Sequence, residues 1–408
     1  MNVPPAREQL ASVSDAVPRR FAAGDGLRAL AALFVLVFHT AISALIWKLD
    51  SHSVTGEGTP DQFRPIFGFL AAEFVNMRAG IYIFFVLSGY LLSRTFLAAY
   101  LVRTPKPSVS RYFRNRALRI LPALWVVTTA DLILARGHVD SNVGGVVAVY
   151  GLVQNYGWFR PAELMSQTWT LDIEVTFYIL IPIVAVLALA ADRRMRTSAR
   201  GRLAIVLAAL VAAFVLSLIA KHAVGNPIGL TYNIGEYLFA FLPGVALAAI
   251  EPFAAPALRG GRAGRVWSWA LALACLVLLG VFVSLPVGDH GLREIFVTLG
   301  CGALMGAPLV LQWTTGTSWR WLDNRVMRWL GERSYGIYLI HVGLLTHVVG
   351  QLPSGYGLKA SFLMLLAAET LVTLIAADLL WRFVEHPALQ RRLPWRQAEF
   401  TRAAPSEA

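Results

Sequence analysis

A chain of 408 residues that is 57% hydrophobic and only 15% charged has more apolar and fewer ionised side chains than a soluble globular protein carries. Its mean hydropathy of +0.59 places it in a bilayer. The net charge of +12 invites a nucleic-acid partner, but membrane topology accounts for the placement of that charge and leaves no role for nucleic acid.

Residues 1–24 are polar and mixed, with Pro4, Pro5, Pro18, Arg19 and Arg20. They read as a cytoplasmic segment with no cleavable signal, so that the first span is itself the membrane signal. Apolar runs long enough to cross follow at 26–47, 79–102, 117–136, 171–191, 203–222, 233–250, 266–286, 294–313, 334–352 and 359–381. The fold expected is all-α, a polytopic transmembrane helical bundle of about ten spans. Two further apolar stretches do not qualify: 61–78 is interrupted by Glu73 and Arg78 and reads as an outer-surface helix. The other, 143–155, is too short to cross and reads as a re-entrant or interfacial piece. With the N-terminus inside, the cytoplasmic segments hold 25 of the 36 Lys and Arg, which follows the positive-inside rule and puts both termini in the cytoplasm. One membrane domain, 25–388, is expected, followed by a cytoplasmic tail, 389–408. Cys275 and Cys301 each fall within an apolar run and read as small buried hydrophobes, with no disulfide or metal spacing.

The first span holds the most informative pair. Arg28 and His39 are eleven residues apart, and at 100° per residue that separation returns to within about 20° of whole turns. Both side chains therefore project along one stripe, separated by a rise of roughly 16 Å. Ionisable groups inside a span are costly, face a bundle interior or an aqueous cavity, and are functional-site candidates.

Four more local signatures follow. They are Phe84-Phe85-Val86-Leu87-Ser88-Gly89-Tyr90-Leu91-Leu92, the basic run Arg111 to Pro122, Gln167-Thr168-Trp169-Thr170-Leu171-Asp172-Ile173-Glu174-Val175-Thr176-Phe177-Tyr178, and Ser334-Tyr335-Gly336-Ile337-Tyr338-Leu339-Ile340-His341. Glu385-His386-Pro387 stands near the end. In this order, over about residues 24 to 388, they resemble the acyltransferase family 3 integral membrane enzymes, which transfer acyl groups, often acetyl, from coenzyme A thioesters to hydroxyls of sugars and envelope glycoconjugates. The fourth signature departs from the family's Trp-Ser-Leu-Ser-Val-Glu-Glu-Gln. Asp172 replaces the second Ser, Val175 and Thr176 replace Glu-Gln, and Glu174 is the one acid retained.

The resemblance implies an O-acyltransferase of the bacterial plasma membrane, with acyl-CoA, acetyl by default, as donor substrate, a sugar or glycolipid acceptor, and no bound cofactor or metal. His39 is the expected general base for the acceptor hydroxyl, and a covalent acyl-histidine is the chemical alternative. Glu174 is expected at the depth of His39, bonding the imidazole or sugar hydroxyls; the competing reading is an acid favourable to the helix dipole, which suits Asp172 better. Trp169, Asp172, Tyr178 and His341 are assigned to the acceptor side, and a satisfied core histidine remains the second reading of His341. Arg28, Arg94, Arg116 and Arg119 gather towards the cytoplasmic face, where guanidinium forks suit the donor's phosphates. Ser88-Gly89 reads as small-residue helix packing ahead of a nucleophile. A transporter or flippase of a glycosylated or acylated lipid is the reading from another class, without an inverted repeat to support it. Glu369 and Asp378 are left without a role.

Overall fold

The computed structural model describes residues 20–49, 77–135, 143–156, 165–195, 197–223, 233–285, 290–349 and 356–392. The expected surface helix at 61–78 lies, except for its last two residues, outside them. Among the described residues there is no strand, and ten long helices carry the chain. They are α1 (Gly24–Leu49), α2 (Ala79–Leu101), α3 (Val109–Ala135), α5 (Trp169–Met195), α6 (Ala199–Ala223), α7 (Ile234–Leu258), α8 (Arg262–Ser284), α9 (His290–Thr315), α10 (Arg325–Val349) and α11 (Leu358–Leu380). The short α4 (Val143–Gly151), nine residues long, occupies the run judged too short to cross. A five-residue π-turn, Trp381–Glu385, leads from α11 into the short α12 (His386–Gln390).

Nine of the long helices described are long and apolar enough to span a bilayer. The tenth, α10, falls short in composition because it carries Arg325, Arg328, Glu332, Arg333, two tyrosines and His341. Of these, Arg333 and His341 are buried, as ionisable groups facing the inside of a bundle are. The third span starts earlier than its apolar run, at Val109, so the basic run lies on helical turns and its arginines share faces with the span.

Burial sorts the helices. α1, α2 and α9 are largely enclosed, whereas α6 and α8 present most of their apolar side chains outward. Leu187, Leu216, Leu276 and Leu371 are all exposed, which in hydrocarbon costs nothing. Helices are then held by close packing, and glycine sets how close they come. A Cβ on Gly89 of α2 would lie 2.1 Å from the carbonyl oxygen of Phe241 in α7, and one on Gly244 of α7 would lie 1.9 Å from that of Val86. At the start of α1, a Cβ on Gly331 of α10 would lie 2.0 Å from the carbonyl oxygen of Asp25. This contact fixes the register of α1 against α10 and carries their later turns into one another.

Candidate active site

Between α1, α2, α3, α5 and α10 lies a cavity of about 860 Å³, counting the space at its open side. Arg28, Arg116 and Arg119 supply its cationic wall, Ser88, Glu174 and Tyr178 its polar flank, and Phe84, Thr170 and Tyr338 its far wall. Arg28 also donates to Asp25 at 2.7 Å, and Asp25 is shared with Arg20. Arg119 reaches Glu385 at 3.4 Å, where the π-turn swings the carboxylate back towards α3. Arg116 has no ion-pair partner among the described residues, and its Nε is buried without a hydrogen bond. Its guanidinium lies 6.0 Å from the centre of the Tyr178 ring. Of the three it is the cation most open to an incoming anion.

Glu174 does not sit at the depth of His39, contrary to expectation. Its carboxylate accepts from the hydroxyl of Ser88 and, at 2.7 Å, from that of Tyr178, in the cavity that the arginines line. The reason is where α5 begins. Met165 takes a left-handed backbone (φ 57°) and opens a 3-10 turn, Ser166–Thr168. From that turn the Gln167 amide donates to the carbonyl of Leu339 at 2.7 Å, and the Tyr338 hydroxyl donates to the carbonyl of Gln167. Helix α5 therefore starts level with the middle of α10, and its next two turns carry Glu174 to the arginines.

His39 is paired elsewhere. Its Nδ1 lies 2.9 Å from the carbonyl oxygen of Val35 and 3.3 Å from Nε2 of His341. Nδ1 of His341 lies 2.8 Å from the carbonyl oxygen of Tyr338. A carbonyl can only accept, so Nδ1 of each imidazole carries a proton and Nε2 of each is the basic nitrogen. His341 is fully buried, while His39 keeps part of its surface open. Neither forms part of the cavity wall. Tyr338 stands between, its ring 5.8 Å from that of His341 and 6.1 Å from that of Phe84.

The remaining expected residues lie off the cavity. Arg94 is buried and bonds Glu251 at 3.3 Å, over the Tyr90 ring. Trp169 packs on Tyr237 with ring centres 5.2 Å apart. Asp172, 1% exposed, accepts from the backbone N–H of Asn155 at 3.1 Å and ties α5 to the turn Gln154–Tyr156. Asp378 bridges Arg333 and Arg382, each at 2.7 Å. Glu369 is fully buried and accepts from Thr373 at 2.9 Å.

Three features were not legible beforehand. Tyr338 stands in the last signature without a role of its own, yet it holds the α5 turn and lines the cavity; no local pattern signals a contact across that many residues. Glu385, the last residue of the π-turn, pairs with Arg119. Arg392, just past the last helix, has its guanidinium pushed down to about 9, first by burial and then by Arg119, Arg116 and Arg28, which marks it as a fourth cation of the same cluster.

Comparison with known proteins bears on this arrangement. The acyltransferase family 3 model, described as an acyltransferase domain, matches residues 21–382. The chain is 26% identical to the peptidoglycan O-acetyltransferase OatA of Listeria monocytogenes, over 89% of this chain and 55% of that protein. It is likewise 26% identical to the putative peptidoglycan O-acetyltransferase YrhL of Bacillus subtilis, over 89% of this chain and 54% of the relative. A putative O-acetyltransferase of Staphylococcus aureus is 24% identical over 92% of this chain and 58% of its own length. The chain thus spans little more than half the length of these curated relatives. No solved structure matches it.

Proposed function

Because the chain belongs to acyltransferase family 3, whose domain model spans residues 21–382, we propose that it moves an acyl group, acetyl by preference, from acyl-CoA at the cytoplasmic face to a hydroxyl of a sugar, glycolipid or other envelope glycoconjugate on the outer side of a bacterial plasma membrane. Relatives named for peptidoglycan O-acetylation make a peptidoglycan sugar the first acceptor to try.

The observation that carries the reading is the alignment on α1 of Arg28, in the cavity wall, with His39, whose Nε2 is the basic nitrogen. The helix between them is unbroken, so they stand roughly 16 Å apart along its axis. An extended pantetheine arm of about 15–20 Å covers that rise. In this reading Arg28, Arg116 and Arg119 hold the donor's phosphates by charge-assisted hydrogen bonds. Glu174 orders that wall through Ser88 and Tyr178, and the charge of Arg94 is met by Glu251. The arm passes Phe84 and Tyr338 to bring the thioester to the imidazole.

At His39, Nε2 takes the proton of the acceptor hydroxyl as its oxygen attacks the thioester carbonyl. The carbon–sulfur bond then breaks, and the thiolate leaves with the proton from Nε2. Atoms and charge balance without a metal.

The test is mass spectrometry of envelope polysaccharides and glycolipids from the host with and without the gene. Deletion removes an acyl mass, the wild-type gene restores it, and His39→Ala does not. Movement of a glycolipid without any acyl product, unaffected by His39→Ala, would overturn the reading in favour of transport.

A further inference from the structure

We infer that His341 is the positioning partner of His39, its Nε2 receiving the His39 Nδ1–H so that the base presents Nε2 to the acceptor hydroxyl. This rests on the reading of His39 as base.

Geometry carries it. The two rings meet edge to face with centroids 4.9 Å apart, and the nitrogens that face each other are 3.3 Å apart. Both backbone carbonyls claim Nδ1 protons, His39 to Val35 and His341 to Tyr338, so the polarity of the pair has one solution. His341 Nε2 has no proton and accepts; His39 Nδ1–H donates, shared between Val35 and His341. The His39 ring cannot rotate without losing both bonds, and its other nitrogen is left for chemistry.

The positive charge that forms on His39 during proton transfer is met at Nδ1 by a neutral acceptor buried in the bundle. A second buried nitrogen thus does the orienting that a carboxylate performs in other base–orienter pairs, without a second formal charge in the bilayer. The partner is itself rigid. His341 is fully buried, on a helix whose register against α1 is fixed by the contact of Gly331 with Asp25. It is also one turn from Tyr338, which is bonded to the α5 turn. His341 lies off the cavity wall and acts through His39.

The experiment uses membrane vesicles from the host deleted for the gene and carrying the full chain, so that the natural acceptor is present. Radiolabelled acetyl-CoA is varied and incorporation into the envelope fraction is followed. His341→Phe keeps the ring volume and removes the acceptor nitrogen. It should lower the turnover number about 10- to 100-fold, as loss of an orienting partner does at histidines of metal sites, with KM for acetyl-CoA within twofold of wild type. His341→Gln, whose side-chain carbonyl can accept from His39 Nδ1–H, should regain most of that loss. Wild-type turnover in His341→Phe, with His39→Ala inactive, would overturn the positioning role and leave the base standing. Equal losses in the Phe and Gln variants would reduce His341 to packing. Full activity in His39→Ala would defeat the base itself, a separate failure.

Discussion

Ser88 gives its hydroxyl hydrogen to Glu174, while its neighbour Gly89 lies against the backbone of Phe241. Adjacent residues on α2, about 100° apart around the helix, thus divide between the cavity and the close crossing with α7. The expected small-residue packing belongs to the glycine, and the serine belongs to the site.

That crossing tolerates no side chain at Gly89 or Gly244, because the atoms in the way are backbone and cannot turn aside. Gly244→Leu and Gly89→Leu should sharply reduce the yield of monodisperse, detergent-solubilised protein, since overpacking costs about 1–3 kcal/mol or more. Gly280→Leu on α8, where nothing lies within 4 Å, is the control and should leave the yield unchanged. Size-exclusion profiles and melting temperatures of the three variants check this directly.

Arg116→Ala should raise KM for acyl-CoA about 10- to 100-fold, the loss expected for a charge-assisted hydrogen bond of about 1.5–3 kcal/mol, with little change in turnover number. Arg116→Lys should recover only part of the affinity, because an ammonium lacks the bidentate fork. Initial rates across donor concentration separate the two effects. An unchanged KM in both variants would remove Arg116 from the donor site.

Asp172 belongs to a different class of outcome. Removing its carboxylate breaks the buried hydrogen bond from the backbone N–H of Asn155, a loss of about 1–3 kcal/mol. Asp172→Ala should therefore melt several degrees lower than wild type yet keep its KM for acyl-CoA, as measured by melting curves in detergent and by donor saturation in vesicles. A higher KM for acyl-CoA without loss of stability would instead place Asp172 at the donor site.

Periodicity and length made most of the architecture readable from the chain. Long apolar runs and the short run at Val143–Gly151 were separable by counting residues against bilayer thickness. The Arg28 and His39 stripe was readable because a helix fixes angle and rise. Depth in α5 was not, because Glu174 was placed by assuming that the helix starts at the membrane surface. The true start is set by Met165 in a left-handed conformation and by bonds of Gln167 and Tyr338 that join residues distant in sequence. The pairing of His39 with His341 was hidden for the same reason, since 302 residues separate them. Chain order tells which helices exist; the glycine contacts that set their register are legible only once the partners are known.

In the proposed reaction donor binding and chemistry occupy the two ends of one stripe on α1, and His39→Gln separates them. Binding of acetyl-CoA to the purified full chain, by calorimetry, is measured beside single-turnover transfer of labelled acetyl in native membranes. The expected result is wild-type affinity with transfer slowed about 10²- to 10⁴-fold, the contribution of a general base. Transfer at the wild-type rate, or affinity lost along with transfer, would contradict it.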